Sequence, residues 1–276
     1  MKYLVLGSAG QIGSPLCDYL RDKGHDVYTY DIASHKNQDL RTKPTAALES
    51  AMADCDFVFF LAFDVGGSLY LKKYEKTTAF LNNNLKIMEN TFGLLERFKK
   101  PFIFASSQMS NMLYSTYGVL KQIGEHYTAN LGGLSVKFWN VYGPETDPEK
   151  THVITDFVKS ARSGHIECRT SGEEVRQFLY VDDASEVLHI LSQQYDNISQ
   201  TEPLHITSFE WVSIKYVSDI IGEQTGATIS FAGAADEVQK DARNEADPNI
   251  LRYWKPTTSL REGIAKIIEY EGENIV

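Results

Sequence analysis

The sequence predicts an α/β fold, a doubly wound parallel sheet with a smaller mixed α/β lobe after it. First, short apolar runs alternate with helical patterns through the first half of the 276 residues. Second, runs such as FVFFL and FIFA contain no alternating polar residues, which is typical of strands covered on both faces. Third, the glycine-rich stretch GSAGQIG lies between the first apolar run and the first helical pattern.

The regular elements of the first half follow from these patterns. Strands are predicted at residues 2–6, 26–30, 57–61, 101–105 and 135–139. Helices are predicted where apolar residues recur at helical spacing, namely Ile12, Leu16 and Leu20, then Leu81, Leu85, Met88, Phe92 and Leu95, then Tyr117, Leu120 and Ile123. This order of strands and helices indicates βαβ units around a parallel sheet.

The second half has shorter patterns and more turn residues, with a last helix expected at residues 259–270. We assign residues 1–143 to the sheet domain and expect residues 177–203 to return to it. Residues 144–176 and 204–276 then form the smaller lobe, which closes over one edge of the sheet.

Composition limits the partners of the chain. A formal charge of −10 disfavours nucleic acid and anionic membranes as main partners. The three scattered cysteines form neither a disulfide framework nor a metal-ligand pattern, which fits a reducing cytosol. There is no secretory signal and no apolar stretch of the ~20 residues needed to span a bilayer, so a cytoplasmic protein is expected.

The glycine stretch predicts a dinucleotide site. Gly7, Gly10 and Gly13 follow a strand and open a helix. A turn this tight needs a positive φ, and close approach of its backbone to a pyrophosphate leaves no room for a Cβ, so glycine is required. The N-terminus of the helix then offers N–H groups to the phosphates. Pro15 lies in the first turn of the helix, where a missing N–H is tolerated.

Asp31 indicates which dinucleotide is bound. It ends the second strand, 18 residues after Gly13, which is close to the ~20 expected for an acid that binds the adenosine ribose. Its carboxylate repels a 2′-phosphate, and the next residues provide no arginine to receive one. We therefore expect NAD rather than NADP. A plain glycine-rich turn is the alternative.

The strongest catalytic pattern is Tyr117-Gly-Val-Leu-Lys121, in which the phenol and the amine share one helix face. A nearby ammonium and a cationic nicotinamide both favour the phenolate, and bringing the phenol pKa from ~10 to near 7 requires ~4 kcal/mol. Tyr117 is then the base that deprotonates a sugar hydroxyl. Ser107, at the carboxyl end of a predicted strand, can hydrogen-bond the same hydroxyl, or it is simply a turn serine.

Together these motifs resemble the extended short-chain dehydrogenase/reductase family, in its branch of NAD-dependent nucleotide-sugar epimerases and dehydratases. The resemblance covers nearly the whole chain and rests on GSAGQIG, LAFDVGG, SSQ, YGVLK, NVYGP and RQFLYVDDASEVL in the family order. It implies a Rossmann domain and an enzyme with Tyr117, Lys121 and Ser107 as catalytic residues. It also implies an NAD site formed by Gly7, Gly10, Gln11, Ile12, Gly13, Asp31, Ile32, Asp39, Leu40, Leu61, Ala62, Phe63, Ala105, Tyr117 and Lys121.

The resemblance implies a nucleotide-sugar site as well. Asn140, Arg176 and Arg243 would bind the diphosphate, and arginine forks match phosphate oxygens. Gly66 and Gly67 resemble a glycine pair near the sugar in GDP-mannose 3,5-epimerase, and this favours a GDP-linked substrate. Ser107 and Gln108 complete the expected substrate contacts. Asp182 and Asp183 are expected to cap the following helix.

Departures from the family narrow the expected reaction. Gln108 and Met109 stand where dehydratases of this branch carry an acid pair, and neither residue can perform that acid–base chemistry. Where 3,5-epimerases place a cysteine, Met109 has no proton to exchange. Nine residues separate Ser107 from Tyr117, fewer than in relatives, so the pocket is more open or is completed by another chain.

Hydride transfer at C4 of the sugar remains, by a 4-dehydrogenase or a 4-epimerase. The alternatives are an NAD(P)H-dependent keto-sugar reductase and a catalytically silent NAD-binding regulatory protein. A homodimer is expected from the family, which pairs the helices near residues 80–98 and 114–131.

Overall fold

The computed structural model describes residues 1–234 and 244–273. Its strands are β1 (Lys2–Leu6), β2 (Asp26–Tyr30), β3 (Phe57–Phe60), β4 (Phe102–Ser107), β5 (Leu134–Phe138), β6 (Asn140–Tyr142), β7 (His165–Thr170), β8 (Val175–Arg176), β9 (Phe178–Tyr180), β10 (Leu204–Ile206), β11 (Val212–Ser213) and β12 (Thr228–Ala234). Its α-helices are α1 (Gly13–Asp22), α2 (Ala46–Asp54), α3 (Ser68–Tyr74), α4 (Thr78–Phe98), α5 (Thr116–Asn130), α6 (Val153–Ala161), α7 (Val181–Gln193), α8 (Ile214–Thr225) and α9 (Leu260–Glu273).

The predicted fold class is confirmed. A six-stranded sheet has the order β10-β5-β4-β3-β1-β2, and every pairing in it is parallel. The chain moves outward from β1 in one direction to β2 and in the other to β3, β4 and β5. The order in which strands are added therefore reverses between β1 and β3. In folds of this kind, ligands bind at the carboxyl ends of the strands near this point.

Both faces of the sheet are buried, as the unbroken apolar runs predict. Tyr3 and Val5 on β1 belong to a core with Leu16 of α1 and Leu188 of α7. The alternate residues Leu4 and Leu6 belong to a second core with residues of α2, α4 and α5. Successive residues of β1 thus serve opposite cores, which explains its unbroken apolar run.

The smaller lobe is built from short strand pairs and three helices. Parallel β7 and β12 pair with each other, antiparallel β8 pairs with β11, and α6, α8 and α9 pack around them. The segment that begins at residue 177 contacts the first part of the chain, because β9 pairs with β6 and α7 packs on α1. It extends beyond residue 203, since β10 pairs with β5 in the main sheet. The other domain boundaries remain predictions.

Two more details differ from the sequence-based expectations. Strand β4 continues to Ser107, so both serines of the FIFASS stretch lie within the strand. Asp182 and Asp183 lie inside the first turn of α7, whose N-cap is Tyr180 with no side-chain cap, so the capping prediction is wrong. The buried Asp183 carboxylate instead accepts hydrogen bonds from the backbone and hydroxyls of Thr257 and Thr258. Across the described ranges, no helix is long and apolar enough to cross a membrane.

Candidate active site

A single cleft of about 1240 Å³ runs along the carboxyl edge of the sheet, between the main domain and the smaller lobe. Every residue that the sequence analysis assigned to the cofactor, to catalysis or to the substrate lines this cleft, apart from one. The exception is Arg243, which lies outside the described residues. The fold therefore brings together residues as distant in sequence as Gly7 and Arg176, but their individual roles remain predictions.

The glycine turn is too compact for side chains. Gly7 has φ +87°, and a Cβ there would lie 2.6 Å from the backbone nitrogen of Ala62. A Cβ on Gly13 would lie 2.0 Å from the carbonyl oxygen of Gly7. No side chain caps the start of α1. The Ser14 N–H donates to the Gly10 carbonyl at 3.0 Å and Pro15 has no N–H, so at these two positions an anion would meet the positive end of the helix dipole rather than a free N–H.

Gln11 adds an observation that sequence reasoning did not anticipate. Gln11 lines the cleft. Its side-chain amide nitrogen is buried and has no hydrogen-bond partner among the described residues. A buried donor without a partner is costly, so a bound polar group that accepts from it would stabilise the protein. Together with the space left by Gly7 and Gly13, this fits a dinucleotide over the turn.

Asp31 is positioned between the glycine turn and the end of β2. Its carboxylate accepts hydrogen bonds from the backbone N–H of Ala9 at 3.0 Å and of Ala33 at 2.8 Å. The side-chain oxygen of Gln38 fixes the Asp31 backbone at 2.9 Å. A carboxylate oriented by two N–H groups keeps lone pairs for ribose hydroxyls. Ile32, which is 43 % exposed, forms the rim beside it.

Asp39 and Leu40 lie on the same side of the cleft. The Arg41 guanidinium forms a two-pronged pair with Asp39, with nitrogen–oxygen distances of 2.8 Å each. These hydrogen bonds lower the pKa of Asp39 and raise that of Arg41. Arg41 is therefore bound to a carboxylate rather than presented to a 2′-phosphate, which agrees with the preference for NAD.

Ser107, Tyr117 and Lys121 meet where β4 ends and α5 begins. The Ser107 hydroxyl accepts a hydrogen bond from the Met109 N–H at 3.2 Å, so it caps the short 3-10 turn Gln108–Asn111. Gly118 lets that turn pack directly against α5, since a Cβ there would lie 2.2 Å from the Met109 carbonyl oxygen. This contact explains how only nine residues can connect the serine to the tyrosine.

Lys121 is only 3 % exposed and has a defined position. Its ammonium donates to the Ala105 carbonyl at 2.5 Å and lies 3.7 Å from the centre of the Phe63 ring. The part of the cleft between α5 and the glycine turn is lined by four apolar residues, namely Leu61, Ala62, Phe63 and Ala105.

The pKa of the catalytic phenol differs from the sequence-based argument. Burial raises the pKa of Tyr117 to about 12, and interaction with the Ser107 hydroxyl lowers it only partly. Burial also lowers the pKa of Lys121 to about 7, against the opposing charge of Glu125. The lowered pKa expected from the sequence refers to the protein with a cationic nicotinamide bound beside the phenol, and it remains a prediction.

A partly buried polar cluster next to Ser106 was not predicted from the sequence. Glu125 accepts a hydrogen bond from the Ser106 hydroxyl and lies 3.4 Å from the Lys137 ammonium. Lys137 also donates to the Asn111 side chain at 3.1 Å. Glu125 follows Lys121 by four residues on α5, and this spacing places both on one helix face. That spacing was the signal available in the sequence.

The predicted diphosphate residues lie where β6 and β9 meet. The Asn140 side chain donates to the Gln177 carbonyl at 3.2 Å, and Asn140 pairs with Phe178 in register. Arg176 donates to the Val175 carbonyl at 2.7 Å and lines the cleft. Both side chains are thus held at the edge that the smaller lobe shares with the sheet.

Gly66 and Gly67 have a packing reason to be glycine. A Cβ on Gly66 would lie 3.0 Å from the Lys150 Cα, and one on Gly67 would lie 2.1 Å from the Thr151 carbonyl oxygen. The Gly67 N–H also donates to the Lys150 carbonyl at 2.9 Å. Both glycines line the cleft, but their presence does not by itself require a sugar beside them.

Gln108 is fixed by a residue that the sequence analysis did not select. The Asn244 amide donates to the Gln108 carbonyl at 2.5 Å and to its side-chain oxygen at 2.8 Å. This contact leaves the Gln108 side-chain nitrogen as a donor next to Ser107. No local pattern distinguishes Asn244 from other polar residues of the lobe, so only the fold could identify it.

Comparison with known proteins places the chain among sugar-nucleotide enzymes. Residues 3–207 match the model of the NAD dependent epimerase/dehydratase family. UDP-glucuronic acid decarboxylase 1 of Xenopus tropicalis is 24% identical over 98% of this chain and 72% of its own length. Probable GDP-L-fucose synthase 1 of Oryza sativa is 22% identical over 100% of this chain and 93% of its own.

A solved structure supports the fold over its full length. UDP-glucuronic acid 4-epimerase from Bacillus cereus, determined with UDP-glucuronic acid and NAD, superimposes with a TM-score of 0.81. It shares 24% identity and covers 100% of both chains. At 24% identity this structural similarity establishes the fold alone. The match of residues 3–207 to the family model establishes the family to which the chain belongs.

Proposed function

Because the chain belongs to the NAD dependent epimerase/dehydratase family, we propose that it oxidises C4 of a nucleotide-diphosphate sugar by hydride transfer. The net reaction is then that of a sugar-nucleotide 4-epimerase or 4-dehydrogenase. One observation carries the proposal: the buried Tyr117 phenol and Ser107 share a cleft with Lys121 and the glycine turn.

Each residue of this group has a defined task. Tyr117 removes the proton from the sugar hydroxyl, while Ser107 hydrogen-bonds the same oxygen and the ketone that it becomes. NAD, when bound, accepts the hydride from the carbon. Lys121 supplies positive charge beside the phenol, which deprotonation of a buried tyrosine requires.

The size of that requirement follows from the pKa. Lowering a phenol pKa from about 12 to near 7 takes about 7 kcal/mol at 1.36 kcal/mol per unit. A charge in a dry site acts strongly because the surrounding dielectric constant is low. The same burial that raises the pKa of Tyr117 therefore increases the effect of every positive charge near it.

The neighbours of Ser107 favour simple redox chemistry over elimination. A carboxamide and a thioether do not ionise near neutral pH, so neither Gln108 nor Met109 provides an acid or a base. Asn244 holds Gln108 in place, and Met109 is buried. Tyr117 is then the group that takes the proton from the hydroxyl on the reacting carbon. This supports C4 oxidation without water loss and without 3,5-epimerisation.

The nucleotide is the least constrained part of the proposal. The expectation of a GDP-linked substrate rested on Gly66 and Gly67, whose packing against Lys150 and Thr151 gives another reason for glycine. Substrate panels should therefore contain UDP- and GDP-linked sugars in parallel. If the ketone takes the hydride back on its other face, the product is the C4 epimer, and if it leaves, the product is a 4-keto sugar.

The proposal is tested with Tyr117→Phe, which removes only the hydroxyl. We expect turnover to fall by roughly 10²–10⁴-fold while NAD content and nucleotide-sugar binding stay the same. Tyr127→Phe is the matched control, because that phenol lies on the same helix but is exposed. Equal turnover by wild type and Tyr117→Phe would refute the proposal. A wild-type protein that binds NAD but transforms no sugar nucleotide would instead be the silent regulatory protein.

A further inference from the structure

Helix α3 ends on a carboxylate that the stability of α3 itself does not explain. Glu75 is the C-cap residue of this helix, and only 9 % of the residue is exposed. The C-terminus of a helix is the negative end of its dipole, so a carboxylate there is electrostatically unfavourable. Burial of a charged group is costly as well, unless the group is hydrogen-bonded. The position of Glu75 therefore requires a partner outside α3.

This partner is Ser115, at the start of the catalytic helix. Ser115 is the N-cap residue of α5 and is 1 % exposed. Its hydroxyl donates to Oε2 of Glu75 at 2.9 Å and accepts from the Gly118 N–H at 3.2 Å. The N-terminus of a helix is the positive end of its dipole, so a carboxylate is favourable there. The charge that is unfavourable for α3 thus stabilises the first turn of α5.

The start of α5 sets the position of the catalytic phenol, because Tyr117 is the second residue of the helix. A local contact fixes this start to the preceding turn, where the Ser115 N–H donates to the Met112 carbonyl at 3.0 Å. A contact within one short stretch of chain does not fix the helix relative to the rest of the domain. Glu75, which lies 40 positions before Ser115, provides a contact that does so.

The segment that contains Glu75 also holds the ring of Tyr117. Phe63 and Glu75 both belong to the connection between β3 and α4. The Phe63 ring packs edge-on against the Tyr117 ring, with 5.8 Å between the ring centres, and the Lys121 ammonium lies 3.7 Å from the centre of the same Phe63 ring. Neither Glu75 nor Ser115 lines the cleft, so this pair acts on Tyr117 rather than on a ligand.

We propose that Glu75 is a positioning residue, which holds the first turn of α5 through Ser115 so that the Tyr117 phenol meets the sugar hydroxyl in the reactive geometry. The inference rests on the proposed function in taking Tyr117 as the base. Burial and the Ser107 hydroxyl shift the pKa of Tyr117, whereas Glu75 is not among the causes. The hydrogen bond to Ser115, rather than charge at a distance, therefore performs the role. A misplacement of about 1 Å in a reacting group can cost roughly 10²-fold in rate.

The test compares two replacements of Glu75. In Glu75→Gln the carboxamide oxygen still accepts from the Ser115 hydroxyl, whereas Glu75→Leu keeps similar bulk and removes the acceptor. With UDP- and GDP-linked sugars, we expect Glu75→Leu to lower kcat by roughly 10–10²-fold at unchanged KM and NAD content, and Glu75→Gln to keep most of the wild-type kcat. Glu89→Leu is the matched control, because Glu89 is exposed on α4, and it should follow the wild type.

Ser115→Ala tests whether the two residues act through one contact. Without the serine hydroxyl, Glu75→Leu should have no further effect, so the double variant should have about the kcat of Ser115→Ala alone. Hydrogen exchange provides a second readout that needs no turnover. The Gly118 amide, which donates to Ser115, should be protected in the wild type and in Glu75→Gln, and it should exchange faster in Glu75→Leu.

Three kinetic results would overturn the inference and leave the proposed function standing. The first is a wild-type kcat in Glu75→Leu. The second is an equal loss of kcat in Glu75→Gln and Glu75→Leu, because the charge rather than the hydrogen bond would then be required. The third is a raised KM at unchanged kcat, which would indicate a role in binding.

Two further cases keep the inference testable. If Glu75→Leu does not fold, a wild-type kcat in Ser115→Ala overturns the inference, and a loss of kcat there that Glu75→Gln does not share supports it. If the wild type converts no sugar nucleotide, the proposed function falls and exchange at Gly118 gives the answer. Equal protection in every variant then overturns the contact, and faster exchange in Glu75→Leu with protection kept in Glu75→Gln supports it.

Discussion

At the scale of single residues, the burial of Lys121 determines whether its side chain is charged near neutral pH. Its pKa is lowered to about 7, with Glu125 as the opposing influence. Near neutral pH the side chain is therefore balanced between ammonium and amine. Since the Tyr117 phenolate depends on positive charge nearby, a small change in the surroundings of Lys121 should change the rate.

Glu125→Gln removes the charge that raises the pKa of Lys121. Burial then lowers this pKa further below 7, so the ammonium is lost at a lower pH than in the wild type. We predict that the alkaline limb of the kcat profile moves to lower pH, while KM for the sugar nucleotide changes little. The direct measurement is the pKa of the Lys121 amine by carbon-13 NMR of the side chain.

The matched control for this variant is Glu96→Gln, an exposed carboxylate on α4. It should leave both the profile and the Lys121 pKa unchanged. A Glu125→Gln protein that has the wild-type midpoint of thermal unfolding and the wild-type profile would show that Glu125 has no electrostatic role.

Sequence reasoning predicted the position of the catalytic residues better than their state. Ser107, Tyr117 and Lys121 were placed by their spacing and by the strand before them, and the structure brings them to one cleft. The degree to which burial raises the pKa of Tyr117 could not be predicted, because it depends on residues distant in sequence such as Phe63, whose ring packs against the Tyr117 ring.

At the scale of elements, the β1–turn–α1 unit shows how a local pattern sets a site. A Cβ on Gly7 would collide with Ala62 in the loop after β3, and a Cβ on Gly13 would collide with the Gly7 carbonyl oxygen within the turn. The start of α1, which no side chain caps, therefore lies at the cleft. The unit is therefore recognisable in sequence, because its geometry permits few residues besides glycine.

Gly13→Ala should abolish retention of NAD. The new Cβ would lie 2.0 Å from the Gly7 carbonyl oxygen, so the turn must open and the helix end must move. NAD content is measured by mass spectrometry of ligands released from freshly purified protein. Gly93→Ala on α4 is the control, because nothing lies within 4 Å of its Cβ position, and it should retain NAD fully. Equal NAD content in both variants would contradict this account of the turn.

The elements of the smaller lobe were much less predictable. Four of its strands form isolated pairs, and β8 and β11 have only two residues each. Strands of two residues are too short to show a period. Five of the six strands of the main sheet were predicted to within two residues, and the sixth, the three-residue β10, was not predicted. The Asp183 contacts illustrate the same limit, since they join residues 74 and 75 positions apart.

At the scale of the whole molecule, exposed leucines on α4 favour self-association of the chain. The apolar stripe on α4 divides in the structure: Met88, Phe92 and Leu95 are buried, while Leu81 and Leu85 are 38 % and 39 % exposed. Exposed leucines on one helix face are costly in water, and a second copy of the chain would cover them. We retain the homodimer as a prediction.

Leu85→Asp should convert the dimer into a monomer, because an unpaired carboxylate would be buried in the interface. Molar mass from light scattering after size exclusion measures the change. Tyr216→Asp on α8 is the control, since Tyr216 is exposed on the smaller lobe, and it should remain dimeric. A wild-type protein that is monomeric at micromolar concentration would contradict the prediction.

The most direct measurement of the central claim follows the sugar and the cofactor in one experiment. NAD-loaded protein is mixed with UDP- and GDP-linked sugars, absorbance at 340 nm reports reduced nicotinamide, and proton NMR reports the configuration at C4. We predict that at least one sugar becomes its C4 epimer or a 4-keto sugar, and that Tyr117→Phe stops the change. Sugars that bind to the holoprotein but keep C4 intact, with no reduced nicotinamide, would contradict the account.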